Sequence, residues 1–189
     1  MISATVSTQR KKIHPHKFTL WVGLGSIIMM FAGLTSAYIV KGSQPEWSTV
    51  EMPKIFYYST AVIIVSSVTI QLALKAFKER KMMQYRKLIT VTAMLGSAFI
   101  VMQLLGFHQL WTSGIDFKGA GAGQFLYIIF GLHALHVLGG VVALIVIAWQ
   151  QFFGRTRSYN AVSIEVMNTY WHFVDILWLY LLIFFIWIG

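Results

Sequence analysis

The sequence predicts an all-α fold, a polytopic membrane protein built as a bundle of five transmembrane helices. Three observations carry this. The 189 residues are 57% hydrophobic and only 11% charged, against about 25% charged in a soluble domain. Five apolar stretches, at about 17–40, 54–77, 86–110, 124–150 and 164–188, reach the roughly 20 residues that a spanning helix needs. The basic residues sit in short runs between those stretches, where membrane topology places them. The net charge of +9 therefore reads as topology and not as a nucleic-acid surface.

Residues 1–16 form a basic cytoplasmic tail, and 17–189 form one transmembrane domain. The first stretch follows "RKKIHPHK" and is longer than the roughly 7–15 residues of a signal-peptide core, so it is expected to stay as a helix. Lysine and arginine set the orientation. Twelve lie in the tail, the 2–3 connection and the 4–5 connection, and three (Lys41, Lys54, Lys118) lie on the other side. The N-terminus is expected in the cytoplasm and the C-terminus outside. There is no cysteine, which excludes disulfides, thiolate metal sites and cysteine-attached haem.

Small residues are expected to bring helices together, because lipid is as apolar as leucine and helices associate by close packing. Gly33–Ala37 in the first stretch and Ala93–Ser97 in the third fit that pattern, as do Gly131, Gly139 and Gly140 in the fourth. The 3–4 connection, "SGIDFKGAGAGQ", lacks the strand-before, helix-after context of a phosphate loop.

The fifth stretch carries the informative residues. Glu165, Asn168, His172 and Asp175 fall at i, i+3, i+7 and i+10, on one helix face. An ionisable side chain at membrane depth costs roughly 2.5 kcal/mol or more and marks function by default. Trp171 and Trp178, seven apart, form a neighbouring aromatic seam. In the fourth stretch His133 and His136 share a face within "GLHALHVLGG". By helical rise, His136 lies about 21 Å and Asp175 about 17 Å from the cytoplasmic ends of their helices. Similar depth predicts that the sets meet, with His136 the partner of Asp175 and His133 near the same seam. An unpaired carboxylate there is costly, so Asp175 is expected to be hydrogen-bonded or protonated.

Three arrangements fit these residues. One is a buried histidine–carboxylate network joining the fourth and fifth helices. The second is a haem or metal site, as in a small membrane cytochrome, recruiting His172 or His108. The third is a proton relay or proton-coupled transport site. The network is the expectation. His108 reads as interfacial, and His14 and His16 as solvated. The nine methionines are scattered, so packing is their default role.

"YWHFVDILWLYLL" (170–182) resembles the last-helix signature of the cytochrome c oxidase subunit III family. "GLHALHVLGG" resembles that family's GxHxxHV motif in the preceding helix, and "MMFAGLTSAYIV" (29–40) the end of its third helix. Gln103 sits where the family often has a glutamine. The likeness extends along all five helices, and the two histidine motifs together are highly specific. It implies an accessory membrane subunit with no haem or copper of its own, packed against catalytic subunit I of a bacterial haem–copper terminal oxidase. Haem and copper are then expected in the partner subunits. The family supports the catalytic subunit's stability, lies near the mouth of a proton uptake path and binds phospholipid. Its full-length form has seven helices, and this chain matches the last five. Five-helix forms occur among bacterial oxidases and among proteins associated with nitric oxide reductase, and the alternative within the family is a partner of a quinol oxidase or of nitric oxide reductase. The expected location is the bacterial inner (plasma) membrane. Two positions depart from the family: Ile27 stands in place of a glutamate, and Gly106 in place of an acid that often follows the glutamine.

The 2–3 connection, "KAFKERKMMQYRK", has six basic residues and one acid. Most of this charge is expected to set topology. Lys78, Arg80 and Arg86 are the candidates for holding an anionic lipid head group, as basic pockets at helix ends can.

Overall fold

A computed structural model describes residues 15–42, 52–113, 121–153 and 161–188. These form α1 (Pro15–Lys41), α2 (Ile55–Lys78), α3 (Met82–Thr112), α4 (Gly121–Phe153) and α5 (Ala161–Ile188). All five are long and apolar enough to cross a membrane. The helices outrun the apolar stretches: α3 starts at Met82 and α4 runs from Gly121 to Phe153. Hydropathy marks only the hydrocarbon crossing, whereas the hydrogen-bonded ladder continues into the interface. Trp21 and Trp149 stand exposed near one end of the bundle, and Trp111 and Trp187 near the other. Amphipathic rings favour that head-group level. Most of the N-terminal tail, the glycine-rich 3–4 connection at 114–120, and Lys118, Arg155 and Arg157 lie outside the described residues.

The helices close a ring in the order α2, α3, α4, α5, and α5 returns to α2. Helix α1 leans on the outside of α4 and α5, and its backbone stays apart from those of α2 and α3. Helix α5 thus touches three neighbours. Half of its spanning segment is buried inside the bundle, against 17% for α1. At the centre Phe56, Phe99, Phe130 and Trp178 meet edge to face or tilted, with ring centroids 5.1–5.9 Å apart. Such geometry suits the ring quadrupoles.

Three residues join α2 to α3. Arg80 takes a left-handed φ of 58°. Lys81 N–H bonds Ala76 C=O at 2.9 Å and Arg80 N–H bonds Phe77 C=O at 3.0 Å. This is the double closure of a Schellman cap, a place usually held by glycine. Lys75 and Lys78 stand in the last turn of α2, where the helix dipole favours cations. Lys81 bonds the Glu79 carboxylate at 2.7 Å and holds that exposed acid below its ordinary range.

Close packing falls on a different set of glycines from most of those expected. A Cβ at Gly96 would lie 2.7 Å from the Trp171 ring, and one at Gly140 would lie 3.1 Å from the Trp171 and Tyr170 rings. Gly106 leaves room for Phe56, with a Cβ there falling at 2.7 Å. Gly33, Gly131 and Gly139 instead face open space. Small-residue spacing identifies a face that permits close approach, but not whether a neighbour occupies it.

Candidate functional site

The polar side chains of α5 turn mainly toward α2. The helices run antiparallel, so rising numbers on one meet falling numbers on the other. Trp171 donates its indole N–H to Ser66 Oγ at 3.1 Å, and Trp178 donates to Thr60 Oγ1 at 2.9 Å. Thr60 gives its own proton to the Phe56 carbonyl at 2.7 Å, which leaves a lone pair for the indole. His172 lies between these pairs, with Nδ1 2.6 Å from Ser67 Oγ and Nε2 3.1 Å from Gln71 Oε1. An amide oxygen only accepts, so Nε2 carries the hydrogen, Nδ1 accepts, and Ser67 donates to it.

That assignment bears on Asp175, which is buried at 5% exposure. Ser67 is its neighbouring hydroxyl, but the Ser67 proton is committed to His172. Neither carboxyl oxygen of Asp175 has a hydrogen-bond partner among the described residues.

The expected pairing of Asp175 with His136 is not formed. His136 places Nδ1 2.7 Å from the Leu132 carbonyl of its own helix and sets its ring edge-on to Phe31 at 6.0 Å. Only its backbone joins the helices, where Tyr170 donates its hydroxyl to the His136 carbonyl at 2.9 Å. Gly140 makes the room in which the Tyr170 ring lies. His133 is buried among rings, stacked on Trp178 at 5.3 Å and flanked by Phe31 and Phe99 at 6.4 and 6.3 Å. Neither of its nitrogens has a hydrogen-bond partner among the described residues. Helical rise fixed the depth of these residues, but rotation about the helix axis turned the acid to α2 and the imidazoles to aromatic rings.

Two further ties run from α5 to α1. Lys17 Nζ bonds Glu165 Oε2 at 2.7 Å at one end of the bundle. Farther along, the Tyr180 and Thr35 hydroxyls meet at 3.0 Å. Thr35 gives its proton to the Phe31 carbonyl at 2.9 Å, so Tyr180 is the donor. Asn168 Oδ1 is buried without a hydrogen-bond partner among the described residues. The predicted network is therefore divided: Glu165 joins α1, His172 joins α2, and His133, His136, Asn168 and Asp175 have no side-chain hydrogen bond to another helix.

The residues that sequence reasoning missed are the small hydroxyls Thr35, Thr60, Ser66 and Ser67. A signal was present. Ser59 and Ser66 are seven apart, as are Thr60 and Ser67, matching the spacing of Trp171 and Trp178. Of the lipid candidates, Lys78 ends α2, Arg80 forms the left-handed turn and Arg86 lies inside α3. Lys78 and Arg80 are exposed and Arg86 is half-buried. Among the described residues no three histidine or acidic side chains are grouped to hold a metal ion.

The sequence model of cytochrome c oxidase subunit III matches residues 17–189. The chain belongs to this family. A probable cytochrome c oxidase subunit 3 of Nocardia farcinica is 30% identical over 163 residues, covering 84% of this chain and 80% of the relative. The cytochrome c oxidase subunit 3 of Corynebacterium diphtheriae is 30% identical over 169 residues, covering 86% and 82%. The cytochrome bo(3) ubiquinol oxidase subunit 3 of Pseudomonas aeruginosa is 28% identical over 167 residues, covering 86% and 79%. Gln103 is buried and donates to Ser59 Oγ at 3.2 Å. Gly106 leaves its place to the Phe56 ring, and Ile27 packs half-buried against the core.

Proposed function

We propose that this chain is the non-catalytic subunit III of a bacterial haem–copper terminal oxidase that oxidises cytochrome c and reduces oxygen. It packs against catalytic subunit I, supports that subunit's assembly and stability, and leaves haem and copper to the partner subunits. It lies in the inner (plasma) membrane with its N-terminus in the cytoplasm and its C-terminus outside. Phospholipid is its other partner, with Lys78, Arg80 and Arg86 as head-group contacts.

The observation that carries this reading is how α5 uses its polar groups. The helix that bears the family signature directs Glu165, Trp171, His172, Trp178 and Tyr180 to side chains of α1 and α2. That is the arrangement of a scaffold, since interhelical hydrogen bonds hold helices in register within lipid. The test is copurification. An affinity-tagged chain should bring down haem–copper polypeptides, and its removal should lower the amount of assembled oxidase. A tagged chain that purifies without a haem-bearing partner would refute the reading.

A second reading is subunit III of a quinol oxidase, favoured by the likeness to the Pseudomonas aeruginosa ubiquinol oxidase subunit. Turnover of the purified complex with reduced cytochrome c and with ubiquinol separates the two.

A further inference from the structure

The Asp175 carboxyl, the Ser67 hydroxyl, the His172 imidazole and the Gln71 amide follow one another from the core of the bundle to its surface. Asp175 is buried, His172 is half-buried and Gln71 is exposed. Ser67 is the hydroxyl beside Asp175. It lies 2.6 Å from His172 Nδ1, and His172 Nε2 lies 3.1 Å from Gln71 Oε1. About one helical turn from that last pair, Asn168 and Thr169 of α5 and Leu74 of α2 help to bound a cavity of about 300 Å³, together with Lys17, Trp21 and Glu165. The cavity is polar at Lys17, Glu165 and Asn168 and large enough to hold water.

Each link in this line can reverse. Gln71 Oε1 accepts from Nε2–H, so Nδ1 accepts from Ser67. That leaves the Ser67 oxygen able to accept, and it leaves Asp175 with no hydrogen-bond partner for either oxygen among the described residues. A buried carboxylate without a donor is costly, whereas a carboxylic acid can itself donate. With Asp175 as the acid, every donor in the line has an acceptor one step nearer the surface. If the Gln71 amide turns over, it offers N–H in place of C=O. Every donor then points inward: Gln71 N–H to Nε2, Nδ1–H to Ser67 Oγ, and Ser67 O–H to an Asp175 carboxylate. The second arrangement supplies the donor that a carboxylate lacks in the first.

The other titratable groups of the spans stand apart from this line. Residues 18–40 of α1, 55–74 of α2 and 88–107 of α3 include no histidine, lysine, arginine or acid. On α4, His133 stacks on Trp178 and His136 bonds its own helix. On α5, Glu165 pairs with Lys17, Tyr170 bonds the His136 carbonyl and Tyr180 bonds Thr35.

We propose that Asp175 is a proton-binding site in exchange with water at the surface of the bundle, by way of Ser67 and His172. In release, the Asp175 O–H passes its proton to Ser67 Oγ while Ser67 passes its own to His172 Nδ1. This leaves a carboxylate and an imidazolium. Nε2 then gives its proton to water beside Gln71, and the neutral Nδ1–H imidazole remains. Uptake runs the same steps backwards. One proton leaves or enters, and no electron moves. The site belongs to this chain alone, so its failure would leave the function proposed above untouched.

The test is infrared spectroscopy of the purified full chain on transfer from H2O to D2O. Asp175→Asn should remove one carboxylic C=O band, and in the parent that band should shift as O–H becomes O–D. Ser67→Ala and His172→Phe should each keep the band and slow its shift by about tenfold or more, since a positioned proton acceptor is worth at least that much. His133→Phe, outside the line, should leave the rate unchanged. A loss of stability alone acts in the other sense, because a weakened fold opens more often and exchanges faster. Any of three results would overturn the proposal: no carboxylic band lost in Asp175→Asn, a band that never shifts in the folded parent, or a shift as fast in Ser67→Ala and His172→Phe as in the parent.

Discussion

The imidazole of His133 lies against the indole of Trp178, with ring centroids 5.3 Å apart and planes inclined by 28°. The indole satisfies its own N–H at Thr60, whereas the imidazole has no polar partner. His133 therefore acts here as an aromatic plate that carries an uncompensated polar cost. His133→Phe keeps the plate and removes that cost, so the isolated chain should gain about 1 kcal/mol. His133→Ala should lose roughly 3 kcal/mol by opening a cavity. Thermal denaturation of the detergent-solubilised chain measures both. A loss with phenylalanine would mean that a ring nitrogen is bonded after all.

Asp175→Leu follows the same logic, with a sign opposite to the one that pairing with His136 predicts. Removing one member of a buried pair costs several kcal/mol because the other member is stranded. Here no partner is stranded, since neither carboxyl oxygen is bonded. Leucine of similar shape should therefore stabilise the isolated chain by about 1–3 kcal/mol. Chemical or thermal unfolding checks it. Destabilisation would restore a paired carboxylate.

The Ser67–His172 bond should appear as coupling. Ser67→Ala and His172→Ala each remove one side of a 2.6 Å hydrogen bond. The double variant should cost less than the sum of the singles by about 1 kcal/mol. Strict additivity would show that the contact contributes nothing to stability.

Gly96→Ala places a methyl group 2.7 Å from the Trp171 ring and 2.9 Å from Val141. Both neighbours are buried, so the expected loss is about 1–3 kcal/mol from overpacking. Gly131→Ala meets nothing within 4 Å and should be tolerated. Trp171 fluorescence and thermal stability together would register the difference. Equal behaviour of the two variants would contradict the packing described.

Arg80→Gly relieves a left-handed residue with φ 58°, a conformation that costs other L-residues about 1–2 kcal/mol. The variant should raise the stability of the α2–α3 hairpin by about 1 kcal/mol. Arg80→Val, which adds β-branching at the same φ, should lower it. The midpoint of thermal unfolding decides between them.

The five spans were legible because a run of some twenty apolar residues has few other uses, and the structure keeps all five. That the fourth and fifth helices come together near these residues was legible too, since rise per residue is fixed: Tyr170 reaches the His136 carbonyl and His133 stacks on Trp178. What spacing could not convey was which neighbour each face of α5 meets. That depends on the packing of Trp171 against Gly96 and Gly140, residues on two other helices. The hydroxyls of α2 were overlooked because serine and threonine within an apolar run carry little weight in a search for charges. They bond tryptophan and histidine nonetheless, and the resemblance to the family motif named the ring residues without naming these partners.

The outlying position of α1 bears on the order in which the chain can be completed. Helix α1 has neighbours only in α4 and α5, which are made after α2 and α3. Seventy-nine residues lie between Lys41 and Gly121, and synthesis at about 5–20 residues per second takes roughly 4–16 seconds to cross them. By the end of that interval α2 and α3 are complete and can close on each other, while α1 waits in the bilayer with Thr35 and Lys17 lacking their α5 partners. Full attachment of α1 thus requires that both α4 and α5 have been made. An unattached α1 therefore marks a copy in which α4 and α5 have not yet been placed.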